Sequence, residues 1–384
     1  MSFTGKATYT GGVAMPEIAE DVSDLVSIVS PAETPLLDAL GDPMRMARST
    51  VHEWLDDALL PNFDAVAGTI TDASEQTTFE VAHVERFRPG DQVRLGDDQE
   101  MLLVSGVDTA ANTITVSRSY GDTTRGTLAA GKSLRILGNA ALEGDAADAA
   151  RFSVRTRKQN YTQIFTATVE VSGSELATRQ IGVTDEMNYQ KQLRLRELLR
   201  DLENCVINGT ASAVTPAGSS SVRRTMNGLL SLIQTNVLSP GAGGFPADDS
   251  LTEEQLSEAL RRIWMECGSS PDLILVNAAS KRSINQFAST SRRYQPADET
   301  FRDLVNVFES DFGVCRIVLS RYVPTGTLLL LDSSRIEVLP LAGRSFFYKP
   351  LASNGDRDAG QMIGEYTLEL RNENAHGIIR GFTA

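Results

Sequence analysis

Apolar positions recur at helical spacing over one long stretch, residues 184–209 (TDEMNYQKQLRLRELLRDLENCVING). Leu195, Leu198, Leu199, Leu202 and Val206 make one stripe. Arg194, Arg196, Glu197, Arg200, Asp201 and Glu203 cover the other faces, and Glu197 and Asp201 lie within a turn of arginines they can pair with. Thr184 is placed to cap the first turn, and Asp185 and Glu186 sit where the helix dipole favours negative charge. Asn208-Gly209 is expected to supply a left-handed stop. The pattern predicts a helix over 185–208, roughly 35 Å long for the whole stretch at 1.5 Å per residue.

On both sides of this helix the pattern changes to short alternating runs. Between 88 and 138, turn clusters at 89–91, 96–98, 108–112, 121–122 and 131–132 separate runs at 92–95, 101–104, 113–116 and 133–137. This is the pattern of a small all-β unit. Its flanks, 77–85 and 151–168, are also β-like, so 88–138 is expected to be a subdomain inserted at the tip of a long hairpin. Residues 250–339 read as a separate α/β unit. Ser250-Leu251-Thr252-Glu253 looks like a capping box, followed by an apolar face of Leu256, Leu260, Ile263, Trp264 and Cys267 up to Gly268. A buried strand at 273–276, a second helix capped by Asn277 and running to about Phe287, and strands at 304–309, 315–320, 328–331 and 335–339 follow. The run 362–370 is expected to pair with 377–382 across 372–376.

The first sixty residues hold only short apolar groups: Leu25-Val26-Ile28-Val29, Leu36-Leu37-Leu40 and Trp54-Leu55-Leu59-Leu60. Pro31, Pro35, Gly41 and Pro43 separate them. Segments so broken are expected to form an arm laid on another surface. Residues 35–40 read as a turn or two of helix stopped by Gly41.

Composition narrows the class. A chain of 384 residues is long for one core, so two or three domains are expected. The net charge of −14 and the lack of a Lys/Arg-rich run argue against tight binding to DNA through a basic face. No secretory leader and no membrane span are indicated. Cys205, Cys267 and Cys315 are odd in number and form no Cys-x-x-Cys pair, which fits a reducing cytoplasm.

Candidate chemistry is sparse. His52-Glu53-Trp54-Leu55-Asp56 begins like a zinc-protease helix, but Asp56 stands where the second histidine belongs. Gly241-Ala242-Gly243-Gly244 has no Lys-Ser/Thr after it. Gly218–Ser221 with Arg223 and Arg224 could touch a phosphate, and reads better as a small-residue loop. Ser172-Gly173-Ser174 lacks the glycines of a nucleophile elbow. His52, His83 and His376 are few and scattered. Asn160-Tyr161-Thr162 and Asn208-Gly209-Thr210 match a glycosylation pattern with no secretory route. Asp97, Asp98 and Glu100 read as turn carboxylates rather than a cation site. No catalytic, cofactor-binding or metal-ligating residue is assigned, and no cofactor and no enzymatic activity are expected.

The order of elements resembles the tailed-bacteriophage major capsid proteins of the Hong Kong-97 type. PAETPLLDAL with HEWLDDAL resembles the family's arm-to-loop start. NYTQIFTATVEVSGSE resembles its return strand, DLILVNAASKRSINQF its axial strand and helix, and GEYTLELRNENAHGIIRGF its closing hairpin. The resemblance implies an α+β fold with an N-terminal arm (1–60) and an extended loop (61–170) carrying the inserted 88–138. A peripheral domain with the spine helix (171–249), an axial domain (250–334) and closing peripheral strands (335–384) complete it. It implies a virion shell of hexamers and pentamers around double-stranded DNA, bound without sequence specificity and without a membrane, and assembled in the host cytoplasm. Scaffolding and portal proteins are the implied partners, with a decoration protein as a further candidate. Some relatives crosslink a loop lysine to an asparagine; the hairpin region here offers only Lys132 and Lys158, so non-covalent locking is expected. An encapsulin-like compartment, a tail or decoration protein, and an enzyme built from distant residues are the alternatives.

Overall fold

The computed structural model describes residues 34–57, 59–96, 98–144, 155–178, 185–268, 270–291, 307–352 and 355–383. Thr184, Asp97 and the apolar group at 25–29 lie outside them. The chain forms two compact units, one of residues 57–156 and one of the remainder.

The first described element of the larger unit is α1 (Pro35–Leu40). Proline at its first position loses no hydrogen bond there, and Gly41, at φ +76°, ends it. Leu36 is fully buried. Then β1 (Val51–Asp56) runs to the boundary of the smaller unit.

The smaller unit contains β2 (Phe63–Ala65), β3 (Thr78–Glu80), β4 (Asp91–Leu95), β5 (Met101–Asp108), β6 (Thr113–Ser117) and β7 (Ser133–Asn139). They form one antiparallel sheet in the order β2-β7-β4-β5-β6-β3. Beyond β2 and β3 the two ends meet: Val66 bridges Val81, Ala67 N–H donates to Glu80 O at 2.8 Å, and Ala82 N–H donates to Ala65 O at 3.1 Å. The sheet is thereby closed into a small barrel, which leaves no long free edge. Val93, Leu95, Leu102, Ile114 and Leu134 fill its interior. The inserted unit is thus larger than 88–138. Residues 78–80, expected in the hairpin stem, pair with β6 inside the barrel.

The chain returns through β8 (Thr156–Tyr161), which pairs with β1, and β9 (Gln163–Ser172). After α2 (Gly173–Ala177) comes α3 (Glu186–Asn208). Asp185 caps α3, its side chain accepting from Asn188 N–H at 3.0 Å. Leu198, Leu202, Val206 and Ile207 face the core, whereas Leu195 and Leu199 are only half-buried. Gly209 does not stop the helix in a left-handed turn: its φ is −57°. It is needed for close approach, because a Cβ there would lie 2.4 Å from Cys205 O and 2.7 Å from Met226 O.

The remaining elements are α4 (Leu229–Leu232), β10 (Val237–Leu238), α5 (Glu253–Cys267), β11 (Leu273–Val276), α6 (Ala278–Ser291), β12 (Val307–Ser310), β13 (Gly313–Leu319), β14 (Thr327–Leu331), β15 (Ile336–Pro340), β16 (Phe347–Pro350), β17 (Arg357–Leu370) and β18 (Gly377–Arg380). The capping box of α5 is Thr252 with Gln255, two residues beyond the Ser250–Glu253 reading. Trp264, expected on its buried face, is 45% exposed and lies against Phe312, with ring centroids 5.9 Å apart.

Two sheets organise this unit. One has the order β10-β18-β14-β11-β13-β12; in the other, β17 carries β9 along one side and β16 and β15 on the other. The closing hairpin expected between 362–370 and 377–382 does not form. β17 stays in its own sheet, and β18 inserts between β14 and β10. The physical reason is burial on both faces: Gly377, Ile378 and Ile379 are buried in succession, like all five residues of β14, a pattern that suits a central strand. The strand 377–380 therefore belongs with 250–334, not with the closing strands of 335–384.

Candidate functional site

The polar interior of the larger unit is built around three buried glutamates, each at a crossing of elements. Glu203 on α3 receives Leu36 N–H on both carboxylate oxygens at 3.1 Å, Leu37 N–H at 3.1 Å and Ser320 Oγ at 3.3 Å. It thus holds the unsatisfied first-turn amides of α1. Burial pushes its carboxyl up to about 7, even though these donors oppose the shift. Glu365 on β17 accepts from Arg224 at 2.5 Å and Thr162 Oγ1 at 2.6 Å, with Arg344 in an ion pair 2.7 Å away. Glu369, also on β17, accepts from His52 Nε2 at 2.6 Å and Arg45 at 2.9 Å, with Arg371 3.3 Å away. Burial opposes ionisation of Glu369, but the His52 and Arg45 bonds outweigh it and hold its carboxyl below the usual range. In the barrel, buried Glu100 and Arg118 form a bidentate pair at 2.9 and 2.6 Å. Glu365, Glu369 and Glu100 are thus clasps whose charge is met by arginine, whereas Glu203 is held by amide and hydroxyl donors alone.

The motifs singled out in the sequence fall elsewhere. His52-Glu53-Trp54-Leu55-Asp56 lies on a strand, with His52 tied to Glu369 and Asp56 accepting from Asn372 N–H at 3.1 Å. His83 Nδ1 lies 3.0 Å from Asp64, and His376 is fully buried with Nδ1 accepting from Asp332 N–H at 3.1 Å. Burial drives the His376 imidazole down to about 4. Ser172 caps α2. In the Gly-rich loop, Gly243 O accepts from Arg262 at 3.0 Å. Asn160 and Thr162 are fully buried, and Asn160 Nδ2 donates to Asn227 O and Leu368 O, so this tripeptide cannot receive a glycan in the folded chain. Asp98 is paired with Lys132 and Glu100 with Arg118; among the described residues no group of three His, Cys, Asp or Glu is arranged to hold a metal. Burial raises the Cys315 thiol to about 11. Only the loop 217–225 keeps an interest: with Gln163 and Ile164 it lines a cleft of about 630 Å³.

The sequence reading missed the three glutamates. The signal was present for Glu203, which sits between Leu202 and Val206 on the stripe that meets the core. Glu365 and Glu369 occupy a strand buried on both faces, where alternation gives no warning.

An α+β unit of two sheets with a long helix, interrupted by a barrel and fastened by buried clasps, is the architecture of a shell subunit of the Hong Kong-97 type. Two solved phage structures share this fold. The capsid asymmetric unit of cyanophage A-1(L) matches with a TM-score of 0.52 and 13% identity, over 97% of this chain and 99% of that one. A chain of Microbacterium phage Oxtober96 matches with a TM-score of 0.50 and 14% identity, over 94% and 95%. In sequence, the chain is 23% identical over 290 residues to the major capsid protein of Escherichia phage Phieco32, covering 64% of this chain and 81% of that protein. The class is thus the tailed-phage major capsid proteins. The profile of the SU10 major capsid protein family matches residues 3–383, and the chain belongs to that family.

Proposed function

We propose that this capsid protein assembles into hexamers and pentamers through an axial region of 250–334 plus β18. In this reading the segment from 44 to 63 reaches over neighbouring subunits, the long helix α3 is the spine of the peripheral region, and the barrel is an outward-facing module. The shell encloses double-stranded DNA without reading its sequence, and it forms in the host cytoplasm with scaffolding and portal proteins. One observation carries the reading. Met44, Met46, Leu55 and Leu59 are 99%, 62%, 59% and 94% exposed, a concentration of large apolar side chains that a free subunit leaves in water. Interfaces of interlocked shells are of the large class, above about 2,000 Å², and such side chains suit them. Negative-stain microscopy of Leu55→Asp/Leu59→Asp tests it. Closed particles are expected to be lost while the subunit keeps its melting temperature; normal particles would remove the segment from the interface.

A further inference from the structure

Ion pairing within the barrel leaves two arginines over. Arg86 is paired with Asp64, Arg88 with Asp91, Arg118 with Glu100, Arg125 with Glu75, Lys132 with Asp98 and Arg155 with Asp57. Arg94 and Arg135 are the barrel's other described basic residues, and neither has a hydrogen-bond or ion-pair partner among the described residues. They are also neighbours: Arg94 on β4 stands directly opposite Arg135 on β7. Both are exposed, while Val93, Leu95 and Leu134 next to them in sequence point into the core. Like charges so placed repel across the ladder and destabilise the sheet. The row continues with Phe63 opposite Arg135 and Met101 opposite Arg94. Phe63 is 48% exposed, and Leu137, two residues from Arg135 on the same face, is 49% exposed. A repulsive pair of cations beside uncovered apolar side chains is a surface without its counterpart.

The counterpart is carried by the far wall. The strand order β2-β7-β4-β5-β6-β3, closed between β3 and β2, sets β3 and β6 across the barrel from β7 and β4. There Glu80 on β3 faces Thr113 on β6, which in turn faces Asp108 on β5, so two carboxylates share one row. Phe79, Val107 and Ile114 alternate with them into the core, which turns Glu80 and Asp108 outward. Glu80 has no hydrogen-bond or ion-pair partner among the described residues. Asp108 uses one oxygen on the turn amides of Ala110 and Ala111 and keeps the other for a further donor. Thr78 and Thr115, also exposed, add hydroxyls beside Glu80, their Oγ1 atoms 3.2 Å apart. One barrel thus has a basic wall with an apolar border and, across from it, an acidic wall that bears hydroxyls.

We propose that the barrels of neighbouring copies stack head to tail, the Arg94 and Arg135 wall of one copy against the Glu80 and Asp108 wall of the next. The partner is a second copy of this chain because both complementary surfaces are carried by the same unit. Complementary walls on opposite sides of one unit make a heterologous contact, which repeats around a ring and closes when the rotation fits. Joining them relieves the repulsion between Arg94 and Arg135, gives Glu80 a partner, and covers Phe63 and Leu137. The contact rests on the reading of this chain as a ring-forming subunit and adds to it the surface that orders neighbours at the level of the barrel.

The test uses the full-length chain. Glu80→Cys/Arg135→Cys, treated with a short bis-maleimide, should give a ladder of linked chains on a denaturing gel. The parent chain with its native cysteines, and either single variant, should give none. Arg94→Glu/Arg135→Glu should weaken ring formation by about tenfold in a sedimentation dilution series, because attraction across the contact becomes repulsion. Adding Glu80→Arg to that variant should recover it, whereas Glu80→Arg alone should impair it. Thermal melting of these charge variants should not fall, since the substituted side chains have no partner to lose. Rings that form in Arg94→Glu/Arg135→Glu as in the parent, or without a ladder in the double cysteine variant, overturn the barrel contact and leave ring assembly standing. A loss that Glu80→Arg does not reverse also overturns the pairing of these two walls. Linked dimers from Arg135→Cys alone overturn the head-to-tail order in favour of a two-fold contact. Absence of rings from the parent chain removes the ring reading, and this contact with it.

Discussion

Glu203 and His376 are both fully buried, and burial moves them in opposite directions. The Glu203 carboxyl rises from its ordinary 4.5 to about 7, so the folded state holds a proton that the unfolded chain releases. That contribution is fully present below about 4.5 and is lost as pH rises through 7. The His376 imidazole falls from 6.5 to about 4. Its contribution is present above about 6.5 and is lost as pH falls through 4. Each is worth up to about 3 kcal/mol, from a shift of some 2.5 pH units at 1.36 kcal/mol each. Between pH 4.5 and 6.5 the two slopes oppose each other. Glu203→Gln removes one of them, so the variant should gain stability steadily as pH rises over that window, while the parent changes much less. Urea unfolding at closely spaced pH values reads this directly; parallel profiles for the two chains would mean that Glu203 is ionised throughout.

At the scale of elements, the long helix and the barrel were legible to different degrees. The stripe on α3 was visible because helical spacing survives half-burial, but the stripe is broader than the buried face. Leu202, at 2% exposure, lies in the core and Leu199 on its margin. Leu202→Ala should cost roughly 2–5 kcal/mol, and Leu199→Ala clearly less, since it leaves a smaller cavity. Equal losses in denaturant midpoints would contradict this orientation of α3. The barrel announced itself through its turns, yet its first strands, at three residues each, are too short for alternation to reveal. Only the closure between β2 and β3 shows that the unit starts near residue 57. That closure makes 57–156 self-sufficient: among the described residues, its core draws on none outside it. Expressed alone it should melt cooperatively, and replacing it by a short Gly/Ser link between β1 and β8 should leave the larger unit folded. A non-cooperative melt of the isolated barrel would show that it needs the rest of the chain. The mistaken closing hairpin has a similar cause. Strand partners separated by a hundred residues cannot be told from neighbours in sequence when both faces are buried, as with β18 and β10.

For the whole molecule, the decisive question is where the body ends and the arm begins. Proline and glycine breaks suggested that everything up to residue 60 lies on something else, so that removal of 1–42 would spare the subunit. The structure moves that border. Leu36 is fully buried in the same core as Leu202, Met226 and Leu368, and the Leu36 and Leu37 amides are donors to Glu203. Further along, Arg45 and His52 fasten the chain to Glu369, and Ala47 bridges Leu341. Residues 34–56 are therefore part of the folded unit, although no local pattern could say so: a six-residue helix is unstable alone and exists because its packing surface does. Two truncations separate the regions. Removing 1–33 takes away none of these contacts and should leave the melt nearly unchanged. Removing 1–41 withdraws a buried leucine, worth about 1.5–3 kcal/mol, and leaves the Glu203 carboxyl without its amide donors, a further loss of about 1–3 kcal/mol. Against a total stability of roughly 5–15 kcal/mol, the second truncation should lower the denaturation midpoint sharply or abolish soluble protein. Calorimetry of the two chains side by side decides it. Matching transitions would return 34–41 to the arm, whereas a loss confined to the longer truncation makes α1 the first element of the shell subunit's body.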